Sequence, residues 1–546
     1  MVKNMKDKMT PCKKEQSIYE AILTSSQKYP NSNALRYFGK TFKYKKVIKR
    51  INQFAYSLNK IGVKKDDVVT ICLPNIPDAV YLLYAINQIG AIANIVHPLF
   101  TYEQMEENLM MIQCKLLFCL DTDYQKFLPL KDKGVTIYTC SPASELSFIK
   151  RFFYNKKNKD KLEIKSEHKA QDFYKSDVLT DFDKRYKNDA FYLHSGGTSG
   201  KAKTIALSSF ALNAVATNSL WITGLDSFKK KGILAVLPMF HGFGLCMGIH
   251  AFLAHGGTDV LMPKFSRYQA VNYIKKNQLH ILLGVPVLYE ALLSKNNFRG
   301  RKLRHLVVAF VGGDYVSPAL CERFNIRMEK AKSECRLREG YGLTEVVNVC
   351  AVNTYKYHKA GTVGVLLPNV KGLIINPETK EILKPHEEGE ICIGGETIMN
   401  GYRFNDDKDI NDKTFFIDKN GDKYVRTGDF GTIDEERFIV FKTRLKRIVK
   451  VNGIPVFPSM IEDAATSFNF VYEVCAVGEE DEKHGHIIRL YVMLSKTYKG
   501  TKEEAKEKIV DRIVSRLGIY SKPKEVIFLD KMPHTVVGKI DYKQLQ

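Results

Sequence analysis

Tyr192-Leu193-His194-Ser195-Gly196-Gly197-Thr198-Ser199-Gly200-Lys201-Ala202-Lys203 is the stretch on which the reading of this chain turns. Its three glycines let backbone approach a ligand closely. Ser195, Thr198 and Ser199 supply hydroxyl donors, and Lys201 and Lys203 supply positive charge. Together these residue types describe a loop that cradles phosphates. A Walker loop requires a glycine five residues before its Gly-Lys pair and a hydroxyl directly after it. Here Ser195 and Ala202 stand at those two positions, so a P-loop NTPase is disfavoured.

Working outward, ordered segments follow: Leu237-Pro238-Met239-Phe240-His241, Glu339-Gly340-Tyr341-Gly342-Leu343-Thr344-Glu345 and Tyr424-Val425-Arg426-Thr427-Gly428-Asp429. Then come Arg444-Leu445-Lys446, Lys450-Val451-Asn452-Gly453 and Pro533-His534-Thr535-Val536-Val537-Gly538-Lys539-Ile540. In this order they resemble the adenylate-forming superfamily of acyl-CoA synthetases, peptide-synthetase adenylation domains and luciferases. The resemblance runs from about Tyr19 to the C-terminus. It implies an α/β fold, with a large multi-subdomain N-terminal adenylate-forming domain (residues 1–445) and a small mobile α/β C-terminal lid domain (446–546).

The implied chemistry explains the residue types. A carboxylate is a poor electrophile, since its leaving group would be oxide. Transfer of AMP from ATP makes a mixed anhydride and releases pyrophosphate, and the phosphate charge needs donors, lysine and Mg²⁺. A thiol then attacks the carbonyl and AMP leaves. The resemblance assigns roles by position. Ser195, Gly196, Gly197, Thr198, Ser199, Gly200 and Lys203 would hold the β/γ-phosphates. Tyr341, with Gly342, would lie against adenine, Thr344 would contact the α-phosphate and Glu345 would bind Mg²⁺. Asp429 would accept from both ribose hydroxyls with Arg444 assisting, and Lys539 would bridge the α-phosphate and the carboxylate. Lys446 matches the hinge position, about which the small domain would swing to withdraw Lys539 and bring a face near Gly453 to the thioester step. Arg447 stands where the family often has an acidic residue, and Thr204 where it commonly has glycine.

For the acid, the resemblance places His241 beside the acyl pocket, and the alternative is a core histidine satisfied by backbone. Amino-acid-activating members carry an aspartate near here, and Phe240-His241-Gly242-Phe243-Gly244 offers no carboxylate. Gly313 and Asp314 sit where many members have small residues. Asp314 either caps a helix start near Ser317-Pro318 or lines the pocket. A medium- or long-chain fatty acid is the first choice of substrate, an aryl acid such as a cinnamate the second. The acceptor is CoA or the phosphopantetheine of a separate carrier protein.

Composition sets the bounds. The chain has 546 residues, 45% hydrophobic and 26% charged, which excludes a disordered or collagen-like chain. Its 83 Lys and Arg against 60 Asp and Glu give a net charge of +23. This is read as a lysine-rich solvated surface that also draws in anionic substrates, rather than as a nucleic-acid footprint. The 11 cysteines form no CxxC pair, which points to reduced thiols and a cytoplasmic setting. Residues 1–16 lack the apolar core of a signal peptide. Residues 79–102 and 232–258 carry no charge and are long enough to span a membrane, but their Asn, Gln, Pro, His and Gly content favours buried core. Residues 150–169 are highly charged with aromatics at the start. They read as an exposed insertion or as a short helix that touches lipid, so membrane contact is at most peripheral.

Overall fold

The computed structural model describes residues 12–195, 203–294, 296–405, 407–452, 454–481, 485–534 and 540–545. It is a mixed α/β structure of a large N-terminal domain and a small C-terminal one. The widest sheet begins with parallel strands Asn33–Tyr37, Thr258–Leu261, Gly232–Ala235, Ile281–Gly284, Val308–Val311 and Leu337–Tyr341. Beyond Leu337–Tyr341 it turns antiparallel, through Ala351–Val352, Gly364–Leu366, Phe438–Arg444 and Lys423–Ile433. A second sheet has Thr136–Cys140, Leu116–Leu120, Val68–Cys72, Ile92–Ile95 and Asp189–His194 in parallel, closed by the antiparallel strand Thr204–Ser208.

The two charge-free stretches explain how these sheets join. Pro77 opens the helix Pro77–Ile89 at its first turn, where no amide partner is needed, and Gly90 closes it in the left-handed conformation at φ 84°. All thirteen residues of that helix are buried. With the helix Ser209–Thr223 it shares one apolar cluster with strands of both sheets, Val69 and Ile71 on one side and Ile233 and Ala235 on the other. A helix covered on all sides favours uncharged residues, and its one acid, Asp78 in the first turn, is fully buried, accepts from Ser144 and Tyr174, and is pushed up to about 7 by burial. Residues 232–258 form a strand, an eight-residue π-helix Phe243–His250, a short helix and the start of a strand, almost wholly buried. Among the described residues no helix is long and apolar enough to cross a membrane.

The C-terminal elements build their own core. Strands Val471–Asp481 and Gly485–Leu494 pair antiparallel, Glu525–Phe528 joins in parallel, and helices Pro458–Thr466 and Lys502–Leu517 pack on them through Ile461, Ala465, Ile509 and Ile513. Residues 150–169 differ from a plain loop: Phe148–Lys157 is a regular helix, and none of its residues is buried.

Candidate functional site

Ligands of open parallel sheets bind beyond the carboxyl ends of the strands. Here the ends of Ile281–Gly284, Val308–Val311 and Leu337–Tyr341 open on a narrow apolar cavity whose walls include Phe243, Met247, Gly312, Gly313, Gly340 and Gly342. Glycine is required at two of these positions by close approach. A Cβ on Gly312 would lie 2.6 Å from the Gly340 carbonyl oxygen, and one on Gly342 only 1.5 Å from that of Asn348. No charged side chain lines this cavity.

Tyr341 ends one of these strands and connects the cavity to a second group of residues. Its hydroxyl donates to Asp429 Oδ2 at 2.6 Å, and Arg444 Nε lies 2.8 Å from Oδ1. Asp429 and Arg444 face each other in register on neighbouring antiparallel strands, so backbone pairing alone sets their approach. The Asp429 carboxylate is fully covered, whereas the Arg444 side chain is about half exposed at 56%. Burial first, and then the Asp429 charge, push the Tyr341 phenol well above its usual range, so it remains a donor.

On the other side of Tyr341 the chain turns sharply. Val346 N and Asn348 N donate to Leu343 O, and Val347 N donates to Thr344 O. Val347 (φ 61°) and Asn348 (φ 90°) are both left-handed, a strained conformation for a β-branched residue that persists only when its surroundings impose it. The turn presents Thr344 and Glu345, both half-buried. Glu345 Oε1 accepts from the Tyr402 hydroxyl at 2.9 Å, and Lys203 Nζ sits 4.7 Å from the centre of the same Tyr402 ring. Ser195 and Lys203 are pinned together: Ser195 N donates to Lys203 O at 3.1 Å, and Lys203 N to Ser195 Oγ at 3.3 Å. His194 below them is half-buried, its pKa lowered to about 4 by desolvation, and hydrogen-bonded to Asn94.

The geometry therefore brings Ser195, Lys203, Glu345 and Thr344 together on one side of Tyr341, with Asp429 and Arg444 on the other. Gly196, Gly197, Thr198, Ser199, Gly200, Gly453 and Lys539 lie outside the described residues. His241 is exposed and precedes the π-helix that lends Phe243 and Met247 to the cavity wall; its amide donates to Pro238 O. Asp314 is not the helix cap. Ser317 is, its hydroxyl accepting from Leu320 N at 3.2 Å, because it directly precedes Pro318 at the first helical position. Asp314 lies too far upstream, is exposed, and accepts only the Tyr315 amide.

Three features escaped the sequence reading. The bond of Tyr402 to Glu345, 57 positions away, has no local signal. Arg447 is locked into the small domain by a two-pronged ion pair with Glu462 and a bond to Ala476 O, while Arg444 three residues earlier is tied to Asp429. Glu339 and Asp463 are two perturbed acids: burial first and the Asp463 charge second push Glu339 up to about 8, and burial pushes Asp463 up to about 6 against a hydrogen bond from Tyr315, with the neighbouring Glu462 charge adding to the rise. Among the described residues no three His, Cys, Asp or Glu side chains gather as a metal site.

Fold and site define a two-domain α/β enzyme with its cleft at the carboxyl edge of the large sheet. The AMP-binding enzyme model matches residues 23–403 and the AMP-binding enzyme C-terminal domain model matches 460–539. The chain belongs to the AMP-binding enzyme family. It is 28% identical over 543 residues to a long-chain-fatty-acid–CoA ligase of Bacillus subtilis (strain 168), covering 96% of this chain and 93% of that protein. It is also 28% identical over 508 residues to a probable 4-coumarate–CoA ligase 3 of Dictyostelium discoideum, covering 91% and 88%. The ATP-bound crystal structure of MatB from Rhodopseudomonas palustris shares the fold, with a TM-score of 0.82 at 20% identity over 98% of both chains.

Proposed function

We propose that this enzyme is an AMP-forming acid–thiol ligase that activates a medium- or long-chain fatty acid as its acyl-adenylate and passes the acyl group to CoA. The carrying observation is the position of Tyr341, whose strand end faces a charge-free cavity on one side and whose hydroxyl holds Asp429 on the other. An apolar acid and a ribose would meet at residues 340–344. In the first step a carboxylate oxygen attacks the α-phosphorus and pyrophosphate leaves. In the second a thiol attacks the acyl carbonyl and AMP leaves.

Lys203 and the loop ends at Ser195 would hold the β/γ-phosphates, Thr344 the α-phosphate, and Asp429 with Arg444 the ribose. Glu345 is a lone hard-oxygen donor, which suits Mg²⁺, an ion commonly bound by one or two carboxylates plus substrate phosphates. The ion supplies charge neutralisation at those phosphates, and Tyr402 orients the carboxylate toward them. His241, Gly313 and Asp314 would border the acyl entrance, and Gly342 the adenine. Lys539 would serve adenylation and Gly453 the thioester step, with residues 446–546 turning about Lys446 between the two. The anchoring of Arg444 to one domain and Arg447 to the other supports a boundary after residue 445. The cysteines, all but Cys321 buried and none in a disulfide among the described residues, support a reducing, cytoplasmic setting.

Pyrophosphate release with Mg-ATP across fatty, aryl and amino acids, with and without CoA, tests the reading. Release that depends on a fatty acid and rises with CoA supports it. An aryl preference would correct the substrate, and indifference to CoA would point to a carrier protein. Lys539→Ala should suppress adenylation far more than thioester formation from supplied acyl-adenylate; equal loss in both would remove that role.

A further inference from the structure

The helix Phe148–Lys157 is mounted the wrong way round for a soluble surface. Its polar side faces the protein. Arg151 donates to the carbonyls of Ala143 and Ser144 at 3.4 and 3.0 Å, Lys150 to that of Phe38, and the Tyr154 hydroxyl to Asp121 at 2.5 Å. Its apolar side faces out. Phe148, Ile149, Phe152 and Phe153 recur at the i, i+1, i+4, i+5 spacing that forms one helical stripe, and they are 83%, 67%, 57% and 63% exposed. An amphipathic helix packed by hydrophobic burial presents the opposite arrangement.

The charge around the stripe says what it meets. Residues 148–165 hold seven cations (Lys150, Arg151, Lys156, Lys157, Lys159, Lys161 and Lys165) against Asp160 and Glu163, a balance of 7 − 2 = +5. Lys156 lies one turn beyond Phe152 and Phe153, at the edge of the stripe, and it and Lys157 are exposed. Exposed aromatic and aliphatic side chains bordered by lysine are the composition that enters the headgroup region of a bilayer, with the cations left at the phosphates. A second copy of this chain would bring the same +5 against itself, which disfavours a dimer face.

We propose that this helix is a membrane-docking element that seats the enzyme on an anionic phospholipid surface. Phe148, Ile149, Phe152 and Phe153 insert, Lys156, Lys157, Lys159 and Lys161 contact lipid phosphates, and Arg151 and Tyr154 transmit the load to the protein body. The inference is independent of the reaction assigned above.

The test is co-sedimentation of the full chain with vesicles of phosphatidylcholine alone and of phosphatidylcholine mixed with phosphatidylserine. Wild type should partition onto the anionic vesicles and be released by high salt. Phe148→Ser with Phe152→Ser should weaken that partitioning by about tenfold or more. Lys156→Glu with Lys157→Glu should abolish the preference for phosphatidylserine. These positions are exposed, and an unchanged thermal midpoint verifies that each variant is folded. Failure of wild type to bind anionic vesicles, or equal binding by wild type and the Phe variant, would overturn the proposal. So would sedimentation equilibrium showing a wild-type dimer that the Phe substitutions dissociate, since the face would then belong to a second copy.

Discussion

Replacing Asp429 by Asn separates the nucleotide role proposed for this residue from a purely structural one. As a carboxylate, Asp429 offers about four acceptor sites, two of which meet Tyr341 and Arg444. Ribose hydroxyls would compete for these sites once the half-exposed Arg444 side chain moves aside. Hydrogen bonds to a charged acceptor are worth ~1.5–3 kcal/mol and neutral ones ~0.5–1.5. The amide keeps one acceptor oxygen and turns a donor toward the second hydroxyl. The expected loss is about 2–4 kcal/mol, or roughly 30- to 1,000-fold in ATP affinity. The competing effect is smaller. Arg444 is 56% exposed and returns to water when its partner loses charge, a change within about 1 kcal/mol. Calorimetric titration of a non-hydrolysable ATP analogue and its 2′-deoxy form into wild type and Asp429→Asn completes a double-mutant cycle. The wild type should discriminate strongly between the two ligands and the variant weakly. Additive losses, or a fallen thermal midpoint with ATP affinity intact, would refute the assignment.

Gly342→Ala should destabilise the protein by more than about 3 kcal/mol or prevent folding, because its Cβ would meet the Asn348 backbone at 1.5 Å; Gly248→Ala, with its nearest neighbour at 3.6 Å, should melt like wild type. Burial raises Glu339 from 4.5 to about 8, so its folded state keeps a proton that the unfolded chain has released. Its contribution is fully present below about pH 4.5 and declines as pH rises toward 8. Glu339→Gln should flatten that decline in thermal melts, and an unchanged slope would remove Glu339 as its source. Arg447→Ala should lower stability by about 2 kcal/mol, because Glu462, only 16% exposed, loses its partner; an unaltered denaturation midpoint would contradict this.

Much of the frame was legible because local chemistry and tertiary need agree. Pro77 and Gly90 punctuate a helix whose burial is announced by the absence of charged residues after Asp78, and Lys502–Leu517 is capped at Thr501 by its own Glu504. The Tyr341, Glu345, Asp429 and Arg444 positions were legible through resemblance, since residues so far apart in sequence announce no contact of their own. Other features had no local signal. Nothing in Phe243–His250 distinguishes a π-helix from an α-helix. Arg447 as a surface cation and Arg447 as a buried clamp read identically until Glu462 is placed beside it. The Phe148–Lys157 segment reads as an exposed insertion or a short helix that touches lipid, and only the body's contacts with Arg151 and Tyr154 show which of its faces is turned outward.

The spacing of Arg444 and Arg447 also sets the character of any motion between the domains. Each guanidinium grips a different core, and only Leu445 and Lys446 separate them, contributing about four soft torsions. A tether of many residues would let the small domain wander through a diffuse cloud of orientations, most of them useless. Two anchored ends so close together make the connection a crank, whose throw is set by a few discrete backbone states. A reorientation about such a connection would give up little entropy. A single inserted glycine there would be felt less as lost stability than as lost aim.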